Sequence, residues 1–271
     1  MTLSPELEIN DNLSLRMPTL SVVIPVFNQQ GKISYSIKKI TEAIESYFKD
    51  YELIVVNDGS TDDTLTVLKY LASTDLRRHA RVLSYTPNRG KGYAVRQGVL
   101  HSRGEVVMFL DGDLDISPDL IKDYVEKLGT YDLVIASKRH PGSNVKVPKS
   151  RLIMSRAFNL IVNLAIGIQQ SDTQAGFKVG KGEMMRRIFR NVNVNRYAFD
   201  IELFTIASVL HCRIHEMPVI MKIDRRFKLK DILRMSIDLI KIAYKYRISH
   251  QYQNILIKSD EIKKVSSVMT T

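Results

Sequence analysis

Apolar residues cluster along this chain in short, regularly spaced runs. Ser21–Phe27 reads Ser-Val-Val-Ile-Pro-Val-Phe, Glu52–Asp58 reads Glu-Leu-Ile-Val-Val-Asn-Asp, and Ala80–Tyr85, Glu105–Leu110 and Asp132–Ala136 follow the same style. Such β-branched runs without polar alternation predict strands buried on both faces. Between them the period changes. Ile33, Ile37, Ile40, Ile44 and Tyr47 fall at helical spacing, predicting a helix over Ile33–Phe48. Further helices are predicted over Asp62–Leu71, Gly90–His101 and Pro118–Leu128, the last opened by a proline that fits the first helical position. Strands alternating with helices in this way predict an α/β fold: a doubly wound, mostly parallel sheet with helices on both faces. Ligands of such sheets sit beyond the carboxyl ends of the strands. Polar segments stand at those ends at Asn28, Asn57–Asp62, Asn88–Gly92 and Asp111–Asp115.

The second half is less regular. Arg151–Gly167 is predicted helical, with Arg151, Ser155, Asn159 and Asn163 on one face. Asp172–Lys178 reads as a polar loop, Ala198–His211 as a helix and Arg213–Ile220 as an extended segment. Lys228–Arg247 predicts a final amphipathic helix with a charged stripe at Asp231, Arg234, Asp238, Lys241 and Lys245. Its apolar face is drawn through Leu229, Ile232, Leu233, Leu239, Ile240 and Ala243. The expected organisation is a loose lead-in over 1–18, one α/β domain over 19–222, a basic membrane-associating segment over 223–258 and a frayed tail over 259–271.

Charge sharpens that last expectation. The 271 residues carry 40 Lys+Arg against 29 Asp+Glu, a net charge of +11. Ten cations and three Asp fall between Lys222 and Lys258, so +7 of the excess lies in this one segment. That argues against a nucleic-acid groove spread over the fold and for an anionic membrane surface as partner. One cysteine, Cys212, excludes a disulfide framework and a Cys-cluster zinc site, and suits a reducing compartment. The N-terminal stretch lacks a secretory pattern, and no window approaches the roughly 18 apolar residues of a membrane span. A peripheral protein on the cytoplasmic face of a membrane is expected.

Chemistry concentrates in the rim segments. Asp111-Gly-Asp113-Leu-Asp115 sets three carboxylates at alternate positions after a buried strand. In an extended backbone they share one side, and a hard divalent ion, Mg²⁺ or Mn²⁺, would relieve their repulsion while leaving room for phosphate oxygens. The competing reading is a solvated turn and helix cap. Asp58 could accept from a ribose hydroxyl or a base N–H, or simply belong to a turn. Asn88-Arg-Gly-Lys-Gly92 offers backbone N–H groups and a cation at a helix start, suited to phosphate, with basic loop decoration as the alternative. Asp200 and Glu202 stand near another helix start, where capping is the alternative to catalysis. His101, His140 and His211 are unclustered.

Taken together, Ser21–Asn28, Glu52–Asp62, Asn88–Gly92 and Asp111-Gly-Asp113 resemble, in order and spacing, an inverting family-two glycosyltransferase with a GT-A fold. Asp172-Thr-Gln-Ala-Gly-Phe-Lys178 and Arg196–Leu203 are similar to the dolichyl-phosphate glucosyltransferases, with polyprenyl-phosphate mannosyltransferases close behind. The resemblance spans about residues 19–222 and implies a nucleotide-sugar donor, a divalent metal and a polyprenyl-phosphate acceptor. Pro25, Phe27, Asn28, Asp58, Lys91 and Asp111 fall where the family holds the nucleotide. Asp111 and Asp113 match its metal and diphosphate motif, with Asp115 and Gln174 as further candidate ligands. Arg139, Arg151 and Ser155 match positions associated with the acceptor phosphate, and Asp113, Asp200 and Glu202 are the candidate catalytic carboxylates. Two departures stand out: Gln29 replaces the usual acidic residue, and the membrane spans many relatives use are missing.

The resemblance implies transfer of a hexose to polyprenyl phosphate with inversion, with UDP-glucose favoured and GDP-mannose the alternative donor. A second reading keeps the fold but transfers to a hydroxyl acceptor, which would need Asp200 or Glu202 as base. A third is a non-catalytic nucleotide-sugar or nucleic-acid binder, disfavoured by the intact Asp111/Asp113 pair.

Overall fold

The computed structural model describes residues 19–74, 76, 79–146, 149–168, 170–172, 174–222 and 229–255. The lead-in, most of the Lys222–Phe227 basic run and the tail after Ser259 lie outside the described residues. Five strands follow the sequence pattern closely: β1 (Leu20–Val26), β2 (Tyr51–Asp58), β3 (Ala80–Tyr85), β4 (Val106–Leu110) and β5 (Leu133–Ser137). Helices α1 (Ile33–Glu45), α2 (Thr64–Ser73) and α3 (Lys91–Leu100) alternate with the first four, and α4 (Ile121–Glu126) lies before β5. The Pro118 helix starts as a 3₁₀ turn, Pro118–Leu120, capped by Ser117 accepting from the Asp119 N–H. It also ends in one, Lys127–Gly129.

Beyond β5 come β6 (Asn144–Lys146), α5 (Lys149–Ile166), β7 (Phe177–Lys181), α6 (Gly182–Asn191), α7 (Phe199–Val209), β8 (Ile214–Pro218), β9 (Ile220–Lys222) and α8 (Leu229–Arg247). The seven-stranded sheet has the order β3-β2-β1-β4-β7-β5-β8, and β6 pairs with β9 apart from it. All neighbours in the main sheet are parallel except β7, which runs antiparallel to both β4 and β5. The Asp172–Lys178 loop of the sequence reading is therefore shorter than expected, and its last two residues begin a central strand. The reversal matters for function. It brings the segment before β7 to the same rim as the carboxyl ends of β1, β2, β4 and β5.

The two sheet faces are packed separately, as period-two side-chain alternation requires. Val23, Ile54 and Val56 face a core shared with α3, α6 and α7, while Val22, Ile24, Leu53 and Val55 face α1, α2 and α4. α8 belongs to the first core through Leu239 and Ile242. It is thus docked on the α/β body rather than standing apart, and its sequence-drawn apolar face is divided: Leu239 is buried, while Leu233 and Ile240 are exposed. No described helix is long and apolar enough to cross a membrane.

Candidate active site

The rim is organised by buried carboxylates that hold loops. Asp58, at the end of β2, is almost wholly buried. Its Oδ1 accepts from Tyr85 Oη at 2.9 Å, the Arg89 N–H at 2.8 Å and the Gly90 N–H at 3.1 Å. Its Oδ2 accepts from Asn88 Nδ2 at 2.8 Å and the Gly90 N–H at 2.9 Å. Burial pushes this carboxyl above its ordinary range, against the opposing pull of those donors. The sequence reading offered Asp58 to a ribose or a base, but here both oxygens are engaged by the protein. Asp58 fixes the Asn88–Gly92 loop. The fit is close: Gly59, at φ +64°, could carry no Cβ without approaching the Asn88 nitrogen to 2.5 Å.

Asn28 likewise ties one loop to another. Its N–H donates to Ser60 Oγ at 3.0 Å and its Oδ1 accepts from the Thr61 N–H at 2.8 Å. Pro25 lies within β1 and Phe27 one residue past its end, 44% exposed.

Lys91 opens α3 and reaches across to Asp111, 2.6 Å from Oδ1 and 2.8 Å from Oδ2. Burial works against the ammonium, but the charges of Asp111, Asp200 and Asp113 outweigh it and hold the Lys91 pKa above its usual value. Asp111 is also held by the backbone, its N–H donating to the Gly176 carbonyl at 3.1 Å. A Cβ on Gly176 would stand 2.0 Å from Asp111 Oδ2, so only glycine leaves the carboxylate its place.

The extended arrangement expected of Asp111, Asp113 and Asp115 is broken by a turn. Leu114 takes φ +58°, an uncommon conformation for a side chain of its size. The Asp115 N–H folds back to Asp113 Oδ1 at 3.2 Å. Asp115 lines a cavity of about 500 Å³ with Tyr35, Lys39 and Pro118. Among the described residues no three His, Cys, Asp or Glu side chains gather to hold a metal. The donor set that remains, Asp111 and Asp113, still fits a hard ion. Mg²⁺ is commonly held by one or two carboxylates with substrate phosphates completing its shell. Gln174 lies nearby in sequence, its N–H donating to Asp172 Oδ1 at 3.1 Å.

The two candidate bases diverge. Helical spacing turns residues two apart to different faces, and Glu202 is fully buried. Its Oε2 accepts from the Asn193 and Val194 N–H groups, each at 2.7 Å, and its Oε1 from Tyr252 Oη at 2.6 Å. Asp200 is paired with Lys178, 2.8 Å away, their side chains 6% and 1% exposed. Lys178 also donates to the Ala175 carbonyl at 2.7 Å and lies over the rings of Phe109 and Phe204. Burial pushes the Lys178 pKa down and the Asp200 pKa up. Lys178 was read only as the end of a loop. Its place between Phe177 and Val179 was the available signal for a buried strand.

The acceptor-side candidates meet in part. Arg139 follows β5 at the rim, its N–H donating to Ser137 Oγ at 3.3 Å. Lys138 is held by Asp172, through its N–H at 2.8 Å and its ammonium at 3.2 Å. Arg151 and Ser155 lie on α5, and their side chains are outside the described part.

Comparison with known proteins agrees with this architecture. The sequence profile of Glycosyl transferase family 2 matches residues 21–191. A dolichyl-phosphate beta-glucosyltransferase of Trichomonas vaginalis is 30% identical over 240 residues, 83% of this chain and 71% of that protein. The Dictyostelium discoideum dolichyl-phosphate beta-glucosyltransferase is 31% identical over 245 residues, covering 84% and 74%. Among solved structures, glucosyl-3-phosphoglycerate synthase of Mycobacterium tuberculosis, crystallised with Mn²⁺, UDP and phosphoglyceric acid, superposes with a TM-score of 0.63. It is 23% identical, and the match covers 84% of this chain and 78% of that one, a likeness of fold.

Proposed function

This chain belongs to glycosyltransferase family 2, and we propose that it transfers glucose from UDP-glucose to dolichyl phosphate with inversion at the anomeric carbon. The observation that carries the site assignment is the Lys91–Asp111 pair on the rim, seated against Gly176 with Asp113 two residues on. Asp111 and Asp113 would hold the Mg²⁺ or Mn²⁺ ion. Such an ion supplies a Lewis acid that neutralises charge on the departing diphosphate. Lys91, at the first position of α3, adds a cation and a helix N-terminus on the same side. Phe27, Pro25 and the Asn88–Gly92 loop offer the surface for the nucleoside.

On the other side, Arg139, together with Arg151 and Ser155 of α5, would orient the acceptor phosphate, since guanidinium groups suit bidentate oxyanion contacts. A phosphate monoester loses its second proton near about pH 6, so the attacking oxygen is already anionic at neutral pH. The new bond joins that oxygen to the anomeric carbon as the bond to UDP breaks, and no general base is needed. The buried state of Glu202 and the Lys178–Asp200 ion pair fit this better than a hydroxyl acceptor, which would call on one of them as base. A lipid acceptor sets the reaction at a membrane surface, with the protein peripheral on its cytoplasmic face.

Parallel incubation with labelled UDP-glucose and labelled GDP-mannose, each with vesicles carrying dolichyl phosphate, tests the reading. Label should enter the lipid phase from UDP-glucose. Transfer from GDP-mannose alone, or release of free sugar without lipid product, would overturn it.

A further inference from the structure

α8 is apolar on two opposite faces. Met235, Leu239 and Ile242 are buried against the body of the protein. Leu233, Ile237, Ile240, Tyr244 and Ile248 recur every three or four residues on the other side and are 46% to 69% exposed. A helix docked by one face normally turns polar residues outward, so this second stripe is not explained by folding. It continues onto α5, which packs beside α8 and leaves Leu160, Ile161 and Leu164 between 54% and 70% exposed. The two helices are fastened where both end: the Arg247 guanidinium donates to the Leu164 carbonyl at 2.9 Å and the Ala165 carbonyl at 2.6 Å. The result is two exposed apolar stripes carried by a pair of packed helices, and exposed apolar surface on this scale marks an interaction surface.

Charge along its border indicates the partner. Arg234, Lys241 and Lys245 lie on one edge of the α8 stripe, with Asp238 the acidic residue among them. An apolar strip with a cationic edge is complementary to an anionic lipid surface, whose head groups meet the cations while acyl chains receive the leucines and isoleucines. We propose that the exposed faces of α5 and α8 together form a bilayer-docking surface for anionic lipid. This rests on the lipid-acceptor reading above and deepens it. α5 also carries the acceptor-phosphate candidates Arg151 and Ser155, so the platform that enters the head-group layer is the one expected to receive the acceptor. Each cation near an anionic surface is worth about a fivefold change in partition, so with Asp238 offsetting one of the three the edge contributes about twenty-fivefold.

Flotation with vesicles of phosphatidylcholine, with and without phosphatidylserine, tests the surface. The full chain should float with the anionic vesicles and release at high salt. Ile237→Glu/Ile240→Glu and, separately, Leu164→Glu should each weaken flotation about tenfold or more. These side chains are exposed, so the variants should keep the wild-type melting temperature. Transfer to a short, water-soluble isoprenyl phosphate is measured alongside and should be unchanged in every variant. Unaltered flotation of the variants would overturn the proposal. So would a wild-type dimer in sedimentation that these substitutions convert to monomer, because a second copy would then be the occupant. Transfer to the soluble acceptor without flotation would reject the surface and keep the enzyme reading. Flotation lost in the variants, with no transfer to any acceptor, would keep the surface and reject the enzyme reading.

Discussion

Replacing Gly176 with alanine strikes the site at its tightest contact. Gly176 does not use a left-handed backbone, so alanine is conformationally permitted and the effect is steric. The added Cβ would lie 2.0 Å from Asp111 Oδ2, where ordinary contact begins at 3.4 Å, so the carboxylate or the loop must retreat by about 1.4 Å. Such a shift exceeds the slack of an ion pair at 2.6 Å, and Lys91 and Asp111 separate. A displacement of about 1 Å at reacting groups costs on the order of a hundredfold in rate, or about 2.7 kcal/mol of transition-state stabilisation. Donor kcat/KM should therefore fall about a hundredfold, and the metal concentration needed for half activity should rise. Gly129→Ala is the control, because a Cβ there meets nothing within 4 Å. Steady-state transfer from UDP-glucose over a metal titration, with melting temperatures for both proteins, provides the measurement. A Gly176→Ala enzyme with near-wild-type kcat/KM and unchanged metal dependence would refute the claim that this carboxylate must sit where it does.

Other outcomes follow from the buried charges. Asp58→Asn removes a carboxylate that serves four donor groups; it should cost about 2–4 kcal/mol in urea unfolding and raise the donor KM by loosening the Asn88–Gly92 loop. Lys178→Met removes the cation paired with buried Asp200, leaving only the charge of Lys91 to oppose its burial, and should cost about 3 kcal/mol, whereas Lys178→Met/Asp200→Asn should recover much of that; equal loss in both would deny the coupling. Asp132 pairs with Lys181 and accepts from the Arg213 N–H, and despite the opposing effect of burial those bonds hold its pKa down at about 2. A depressed carboxylate stabilises the fold above its unfolded pKa, near about 3.9, and loses that contribution as pH falls through the folded value. Wild type should thus shed a contribution on the order of 1 kcal/mol, reduced by solvent screening, between roughly pH 4 and 2 that Asp132→Asn lacks, as acid titration of the unfolding free energy would reveal.

Much of the donor half was legible in the chain because its strands are continuous apolar runs and its loops follow them directly. β7 was harder. Phe-Lys-Val-Gly-Lys carries two cations in five residues, and only the tertiary pairing of Lys178 with Asp200 makes such a run fit the centre of a sheet. α6 did show a usable pattern in Met185, Ile188 and Phe189, its buried face. The rim residues were recognised by type, but their division of labour was not. Whether a carboxylate such as Asp58 or Glu202 faces a ligand or holds a loop depends on donors that arrive from 8 to 50 residues away. The common face assumed for Asp111, Asp113 and Asp115 depended on an extended backbone, which the left-handed Leu114 denies.

The reversed strand at the middle of the sheet also fixes an order of assembly. β1 and β2 pair across 31 residues, Leu20 with Tyr51, whereas β4 and β7 pair across 75, Val106 with Lys181. Closing the longer loop costs about 0.8 kcal/mol more in chain entropy, and it cannot be repaid until β7 has been placed. The β1–β2 pair, which carries the Asp58 loop, is then the earlier-forming of the two. The seam where Gly176 meets Asp111 then closes after it. Transfer activity should accordingly return later than the circular-dichroism signal of the sheet and helices when the protein refolds from urea, because the rim that joins the two sides of the reaction is completed last.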